Sequence, residues 1–359
     1  MSQETFGVET LALRELAHHL DPLAENAAPG GPADSYIREH LTLDWTDTAV
    51  LFAAARSSIH DARDAITGML AAHSAALRAS ARELEATAAD YDATDERILA
   101  GMDLLQFGGA LLAGAPDVPI VLCTPTTPAD ILTPPDRRAE EDLAARILGT
   151  NWLSPTGVVR ELMDFVFDYD PLREVHQVFT GNWRSLFAAA SATDNLARLL
   201  VWTGGEVTMR LGVCTHSWTG GAANAAAAYF LGFSRECVSN AEALEMFADG
   251  CQRTAECMED AAAQLGDIFG TILDLIIAAQ IAYALGLATS ETGIGGVLGV
   301  LAGTGALGTA VWLATQAWDV LQEAKTYLDI LTTAVGVIVG NIGTDPAFTL
   351  PAAYDNPRV

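Results

Sequence analysis

The amino-acid sequence predicts an all-α protein made of long antiparallel helical hairpins, and three observations lead to that prediction. From Asp47 to Met102, apolar residues recur at helical spacing in a run without proline. Two further runs of the same kind flank residues 218–220. Six prolines crowd into residues 114–136, where they exclude a long helix and separate the two regions.

Composition limits the kinds of partner that the protein can have. The chain has 359 residues, enough for two or three domains, and 50% of them are hydrophobic. A formal net charge of −27 argues against nucleic acid, because no basic stripe exists to replace the counterions of phosphates. Residues 1–6 lack the basic and apolar stretches of a Sec signal peptide, so we expect no Sec-dependent export.

The cysteines show no spacing typical of a metal site, so the sequence predicts neither a metal nor a cofactor. Their number is odd, and a turn at Trp218 would bring no two of them together, so we expect buried free thiols. The five are Cys123, Cys214, Cys237, Cys251 and Cys257.

The N-terminal part of the chain predicts two helices. Residues 5–20 form a short helix that ends before the Pro/Gly break at residues 29–32. The long helix from Asp47 to about Met102 would be a rod of roughly 80 Å. Its single narrow apolar stripe requires a second helix against which to pack. The stripe consists of Ile59, Ile66, Leu70, Leu77, Leu84, Tyr91 and Ile98.

The C-terminal part predicts a helical hairpin and an apolar region. Short helices at residues 138–148 and 157–167 precede a helix that Pro171 opens and that runs without interruption past Leu200. The returning helix starts near Gly221, which gives an αα-hairpin with arms of about 45 residues. A final helix is expected at residues 320–339. The predicted domains are 1–112 (N-terminal module), 113–150 (linker), 151–266 (hairpin), 267–342 (apolar Gly-rich helices) and 343–359 (tail).

A Trp-x-Gly turn is predicted at Trp218-Thr219-Gly220. A tight reversal between long helices needs a glycine at the bend, and small residues after it allow the arms to approach. The earlier Trp202-Thr-Gly-Gly is followed by Glu206 and Val207, which makes it the poorer turn. An ordinary helical hairpin with a capping tryptophan remains the alternative interpretation.

Tyr91 and Asp95 form a Y-x-x-x-D motif near the end of the long helix. Their i,i+4 spacing puts both side chains on one helix face, where a partner could contact them together. A solvated tyrosine with a neighbouring acid is the alternative interpretation, since such pairs occur by chance.

The two motifs together resemble the type VII (ESX) secretion substrates of the Trp-x-Gly (WXG) superfamily and their EspC-like secretion-associated relatives. The stretch from Leu84 to Asp95 carries the likeness, which covers about residues 5–100 and 170–265. The resemblance implies a secreted or cell-surface protein whose export signal, Tyr91 and Asp95, is recognised by the secretion ATPase. It also implies a co-secreted helical partner or a homo-oligomer. The N-terminal module departs from the family at Trp45-Thr46-Asp47, where aspartate replaces glycine and can cap the long helix.

The apolar C-terminal region leaves a second function open. Between Leu275 and Trp318 the only charged residue is Glu291, and residues 292–318 are long enough to cross a bilayer. We expect a buried helical hairpin here, and the alternative is a membrane-inserting or pore-forming effector that uses residues 268–342. Gly303 to Gly308 spell G-x-G-x-x-G, but the chain after them predicts helix and tail instead of the parallel strands of a dinucleotide site.

The sequence contains no recognised catalytic motif. The seven histidines are scattered over predicted helices and their flanks, and no nucleophile lies near a base in any recognised pattern. The sequence therefore predicts a protein that is not an enzyme and has no catalytic residues.

Overall fold

The computed structural model describes residues 8–43, 50–103, 127–148, 167, 171–284, 297, 299–302 and 304–344. Nearly all of these residues are α-helical, which confirms the all-α prediction. The helices with defined bounds are α1 (Thr10–Ala27), α2 (Pro32–His40), α3 (Val50–Asp103), α4 (Pro128–Ile131), α5 (Leu143–Leu148), α6 (Pro171–Phe179), α7 (Ser185–Cys214), α8 (Gly221–Ala284) and α9 (Ala306–Thr344).

Of the two predicted N-terminal helices, α3 agrees with the prediction in position and length, whereas α1 differs in its bounds. Helix α3 spans 54 residues, close to the predicted bounds. Helix α1 was expected to end at Leu20, yet it continues to Ala27 with Pro22 inside it. Leu23 and Ala24 beyond the proline are buried, so the apolar face that packs against α3 holds the helix together despite the missing N–H.

The proline-rich connector contains one turn of helix where the sequence predicts none. In α4, Pro128 takes the first helical position, which requires no N–H donor. Thr127 and Asp130 form a capping box, and the Asp130 carboxylate accepts from the Thr127 N–H at 2.8 Å. The next helix, α5, begins at Leu143 and not at Arg138 as expected. Most of the predicted helix at residues 157–167 lies outside the described residues.

The expected uninterrupted helix after Pro171 is wrong. It breaks after Phe179, and α7 starts at Ser185. Between them Gly181 adopts φ +134°, and a Cβ atom there would lie 2.5 Å from Cγ of Phe52 on α3. Trp183 is fully buried and meets the Phe52 ring edge-to-face at 5.1 Å. The break therefore allows the rings of Phe52 and Trp183 to pack against each other between α3 and α7.

Helices α7 and α8 pack along each other, but their lengths differ from the predicted arms. Helix α7 has 30 residues and α8 has 64, because α8 continues without interruption past Asp267 to Ala284. Helix α9 is also longer than the predicted final helix and begins at Ala306. It packs against α8 and α3, so the described part of the apolar C-terminal region lies against the other long helices.

The buried side chains form two cores, which we name by position. The turn-side core contains Trp218 with residues of α1, α2, α3 from Ile66 onward, α7 and the first half of α8. The far core contains Phe52 with residues of α5, α6, the second half of α8 and α9. Helices α3, α7 and α8 contribute to both. Each core therefore draws on chain segments from both sides of the connector.

Candidate recognition sites

Tyr91 lies about three turns, and Asp95 about two turns, before the end of α3 at Asp103. Tyr91 is half-buried and packs against the turn-side core. Asp95, one turn further on, is exposed. The motif therefore combines a ring anchored on the protein with a carboxylate that reaches solvent.

Asp92, inside the same motif, ties α3 to the start of α1. Its carboxylate accepts from Arg14 at 2.5 Å. A hydrogen bond from the Thr10 hydroxyl, followed by the bond and charge of Arg14, lowers the pKa of Asp92. Since Thr10 is the first residue of α1, this contact marks the place where α1 stops covering α3. The α3 residues that follow it are mostly exposed, Asp95 among them.

Trp218 and Gly220 lie in the turn that joins α7 to α8. Helix α7 closes on Cys214, whose carbonyl accepts from the N–H of Trp218 at 3.0 Å. Gly220 adopts φ +115°, a conformation that an L side chain rarely adopts. Its carbonyl accepts from the N–H of Asn224 at 3.0 Å, which begins the hydrogen bonding of α8.

Trp218 is 1% exposed and belongs to the turn-side core. Its indole Nε1 is buried and has no hydrogen-bond partner within the described ranges. Beside it, the carbonyl of Ser217 accepts from the N–H of Glu9 at 3.0 Å, next to the start of α1. The turn is therefore attached to the N-terminal helices as well as to its own arms.

The other tryptophan motifs differ in their placement. Trp202 to Gly205 lie within α7, where the chain continues as helix. Trp45, Thr46 and Asp47, including the expected N-cap, lie outside the described residues, as does Cys123.

Four cysteines of the described chain are free thiols: Cys214, Cys237 and Cys251 are buried as predicted, whereas Cys257 is only half-buried. Burial raises the pKa of Cys214 to about 11 and that of Cys237 to about 12. Burial also raises the pKa values of Cys251 and Cys257. Cys214 and Cys237 belong to the turn-side core and Cys251 to the far core. Because the thiolate is the reactive form, a raised pKa lowers the reactivity of these three thiols near pH 7.

A buried polar contact between α3 and α8 was missed by the sequence analysis. His73 is 1% exposed, and its Nε2 lies 3.3 Å from Nδ2 of Asn240, which donates to it. The imidazole ring also packs against Phe233 at a centroid distance of 5.4 Å. Burial lowers the pKa of His73 to about 4, which keeps the ring neutral near pH 7. Its place among the leucines of the α3 stripe was a possible signal, because a polar residue there needs a partner on the facing helix.

The apolar character of the C-terminal half is visible on the surface. Among the described residues, one helix is long and apolar enough to cross a membrane by length and composition. It is residues Gly221–Ala282, which is nearly all of α8, and its most apolar window has a mean hydropathy of 1.7. Only 28% of that window is buried. On α8 Ile281 is 55% exposed, and on α9 Trp312 is 57% exposed.

The remaining motifs show no site for a small ligand. Thr304 and Gly305 of the G-x-G-x-x-G stretch form a turn before α9, and no strand precedes it in the described segments. No cluster of three or more His, Cys, Asp or Glu side chains able to hold a metal ion occurs in the part of the chain that the structure describes.

Comparisons with models of known protein families, with curated proteins and with solved structures found no match for this chain. Any conclusion on its function therefore depends on the chemistry and placement of its own residues.

Proposed function

We propose that this chain is a non-enzymatic substrate or secreted accessory factor of a type VII (ESX) secretion system, which acts by binding and assembling with a helical partner. The observation that carries the proposal is the Tyr91/Asp95 pair near the end of α3, in a sequence that resembles the export signal of EspC-like proteins. The secretion ATPase is the partner that would recognise this pair.

The packing of α1 supports access to the motif. Thr10 and Arg14 at the start of α1 bind Asp92, so the cover that α1 provides ends at that turn. Asp95 and the two residues after it are exposed. An ATPase domain could therefore contact the Asp95 carboxylate and the edge of the Tyr91 ring without displacing α1.

The packing of α3 against α8 supports the assembly part of the proposal. Helix α3 meets α8 through side chains, among them the His73–Asn240 pair and a 3.3 Å hydrogen bond from Ser80 to Tyr229. Long helices that pack sideways in this manner suit the recognition of another helical protein. On this proposal the protein acts outside the cell or on its surface, after export by the type VII apparatus.

An export assay tests the signal directly. We would express the full chain in a host with an intact type VII apparatus and measure the secreted fraction of wild type, Tyr91→Ala and Asp95→Ala. Asp90→Ala is the matched control, because Asp90 is an exposed acid on the same helix and lies outside the motif. We expect export to be lost in both motif variants and retained in the control.

Tyr91 also contacts the turn-side core, so a folding defect must be separated from a signal defect. Tyr91→Phe keeps the ring, and circular dichroism of each purified variant reports whether the helices form. Export of well-folded Tyr91→Ala and Asp95→Ala at the wild-type level would contradict the proposal.

A membrane-inserting effector that uses residues 268–342 is the second candidate. It is favoured by the exposure of Ile281 and Trp312 in a stretch almost without charge. Flotation of the purified chain with neutral liposomes at pH 7 and pH 5 tests it, with Trp312→Ser as the variant that weakens binding. An absence of lipid-bound protein at both pH values would remove this candidate.

A further inference from the structure

One stripe of five exposed residues on α8 is complementary to itself. We call it the α8 stripe, and it consists of Leu231, Arg235, Val238, Glu242 and Met246. The spacings of three and four residues keep all five on one face of the helix. That face points away from the turn-side core, which is formed by neighbours such as Phe233 and Cys237.

The apolar members of the stripe are unusually open for large side chains. Leu231 is 41% exposed, Val238 is 42% exposed and Met246 is 70% exposed. A monomer would leave these apolar side chains in contact with water, which is unfavourable compared with burying them. Arg235 and Glu242 stand between them, so apolar and charged side chains alternate from turn to turn along the stripe.

The charged members also lack partners. Arg235 and Glu242 are exposed, and neither forms an ion pair or a side-chain hydrogen bond within the ranges that the structure describes. The other exposed arginines of this region differ from them: Arg198 pairs with Asp194, and Arg253 pairs with Asp249. The α8 stripe therefore presents one unpaired charge of each sign, and exposed Glu245 adds a second acid beside Met246.

Helix α7 widens the same surface. Gly204 on α7 lies close to α8, since an added Cβ there would be 3.1 Å from Cβ of Cys237. Because the two helices run antiparallel, Val201, three residues before Gly204, lies about level with Val238. Val201 is 47% exposed, and nothing lies within 4 Å of an added Cβ at Gly205 beside it. The stripe is thus bordered by an open, uncharged part of α7.

We propose that the α8 stripe is the interface of a two-fold symmetric homodimer, in which a second copy of this chain packs its own stripe antiparallel on the first. An axis next to Val238 pairs Val238 with its counterpart and Leu231 with the Met246 of the other copy. The same axis brings each Arg235 to the other copy's Glu242. All five positions thus find a complementary partner in one arrangement, as an isologous interface requires.

The size of this surface sets the expected strength. The sixteen-residue span from Leu231 to Met246 is about 22 Å long, and two helices side by side are about 20 Å wide. Two such footprints bury roughly 900 Å² in total, which is below the standard specific interfaces and in the range of weak, transient contacts. The net charge of −27 on each copy also opposes association. We therefore expect a dimer with a dissociation constant of about 10 μM at physiological salt.

Sedimentation velocity of the full chain over a concentration series up to about 200 μM, well above that constant, tests the dimer. We expect wild type to shift from monomer to dimer, and Val238→Arg to stay monomeric because two arginines would meet at the axis. Leu11→Arg is the matched control: Leu11 is 65% exposed on α1, outside the stripe, and its variant should dimerise like wild type. A wild-type chain that remains monomeric throughout, or a Val238→Arg chain that dimerises normally, would overturn the proposal.

A charge exchange tests the arrangement of the two copies. Arg235→Glu puts two acids together in each of the symmetric contacts and should weaken the dimer at least about tenfold. Adding Glu242→Arg restores opposite charges in both contacts, so the double variant should regain wild-type association. A double variant that stays as weak as Arg235→Glu would contradict the antiparallel pairing.

This inference deepens the proposed assembly function and rests on it, but the two can fail separately. Sedimentation does not depend on export, and the stripe variants leave Tyr91 and Asp95 unchanged. Loss of export with normal dimerisation would contradict the signal alone. A monomeric chain with normal export would contradict the homodimer alone.

Discussion

Gly181 occupies a position in the fold that leaves no room for a side chain. Its φ of +134° is strained for any other residue, and an added Cβ would lie 2.5 Å from the ring of Phe52. Phe52 cannot move aside easily, because it is fully buried against Trp183. The close approach of α3 to the α6–α7 break therefore requires glycine at this position.

We expect Gly181→Ala to lower the free energy of unfolding by about 2–4 kcal/mol, from backbone strain and overpacking. Gly205→Ala is the matched control, since Gly205 is helical and has open space around it. That change should raise stability by about 0.5–1 kcal/mol. Urea unfolding followed by circular dichroism measures both, and equal effects of the two alanines would refute the steric explanation.

His73 makes stability depend on pH. The folded protein keeps its imidazole neutral down to a pKa of about 4, whereas the ordinary value is 6.5. Between these values the unfolded chain binds a proton that the folded chain does not, so stability is greatest above pH 6.5 and falls as the pH drops towards 4. Taking about 1.4 kcal/mol for each pH unit, the loss amounts to roughly 3 kcal/mol.

His73→Gln tests this pH dependence, because glutamine keeps polar groups near Asn240 but does not titrate. We expect the variant to lose most of the stability change between pH 6.5 and 4 in urea titrations. The pKa of His19 is also lowered, by burial first, but that residue is only half-buried, so His19→Gln should retain most of the change. Identical pH profiles for wild type and His73→Gln would rule out the assignment.

Among the elements, the α7–α8 turn depends on the burial of one tryptophan. Trp218 lies in the core, and the Cys214 carbonyl and Gly220 hold the backbone around it. Trp202 occupies the same kind of four-residue sequence, yet it is half-buried on the side of a continuous helix. The same sequence therefore has different structural consequences at the two places.

We expect Trp218→Ala to lower the free energy of unfolding by about 3–5 kcal/mol, as is typical for a buried aromatic ring. Trp202→Ala should cost roughly half as much, because part of its ring is already in water. Thermal and urea unfolding of the two variants provides the comparison. A smaller loss for Trp218→Ala than for Trp202→Ala would show that Trp218 does not anchor the turn.

At the scale of the whole molecule, helices α3, α7 and α8 join the two cores, and a large negative charge covers the surface. The 46 acidic residues far outnumber the 19 lysines and arginines, so the compact state concentrates like charge. Ion pairs between distant parts of the chain offset some of this repulsion; Arg184, for example, forms ion pairs with Glu259 at 2.5 Å and with Glu141 at 2.7 Å. Within the ranges that the structure describes, most acids form no ion pair with a lysine or arginine.

We therefore expect added salt to stabilise the folded chain. Raising the ionic strength from about 0.01 M to about 0.3 M shortens the Debye length several-fold and screens the repulsion between surface acids. The thermal midpoint should rise by a few degrees, about 1 kcal/mol in stability for a protein of this size. A variant with several exposed acids neutralised, such as Asp90, Glu245 and Glu256, should respond less to salt. A midpoint that falls with salt would show that ion pairs outweigh the repulsion.

The predicted positions of some elements were confirmed because they depend on local sequence. The long helix α3 and the start of α8 at Gly221 agree with the prediction, since periodic apolar residues and glycine act on their immediate neighbours. The sequence also singled out the four motif residues. In the structure, Tyr91 and Asp95 lie on α3, and Trp218 and Gly220 lie in the turn before α8. Their roles in export and in the turn of a secreted protein stay predictions.

The sequence by itself determined that the chain is helical, where its longest helix lies and which part is apolar, because hydrogen bonding and side-chain spacing along one helix are local. Tertiary structure alone decided the break before Ser185, where Phe52 from a distant helix fills the space beside Gly181. It also decided the contact of His73 with Asn240, which lie 167 residues apart. Such contacts form only when the helices pack, so their spacing along the chain does not encode them.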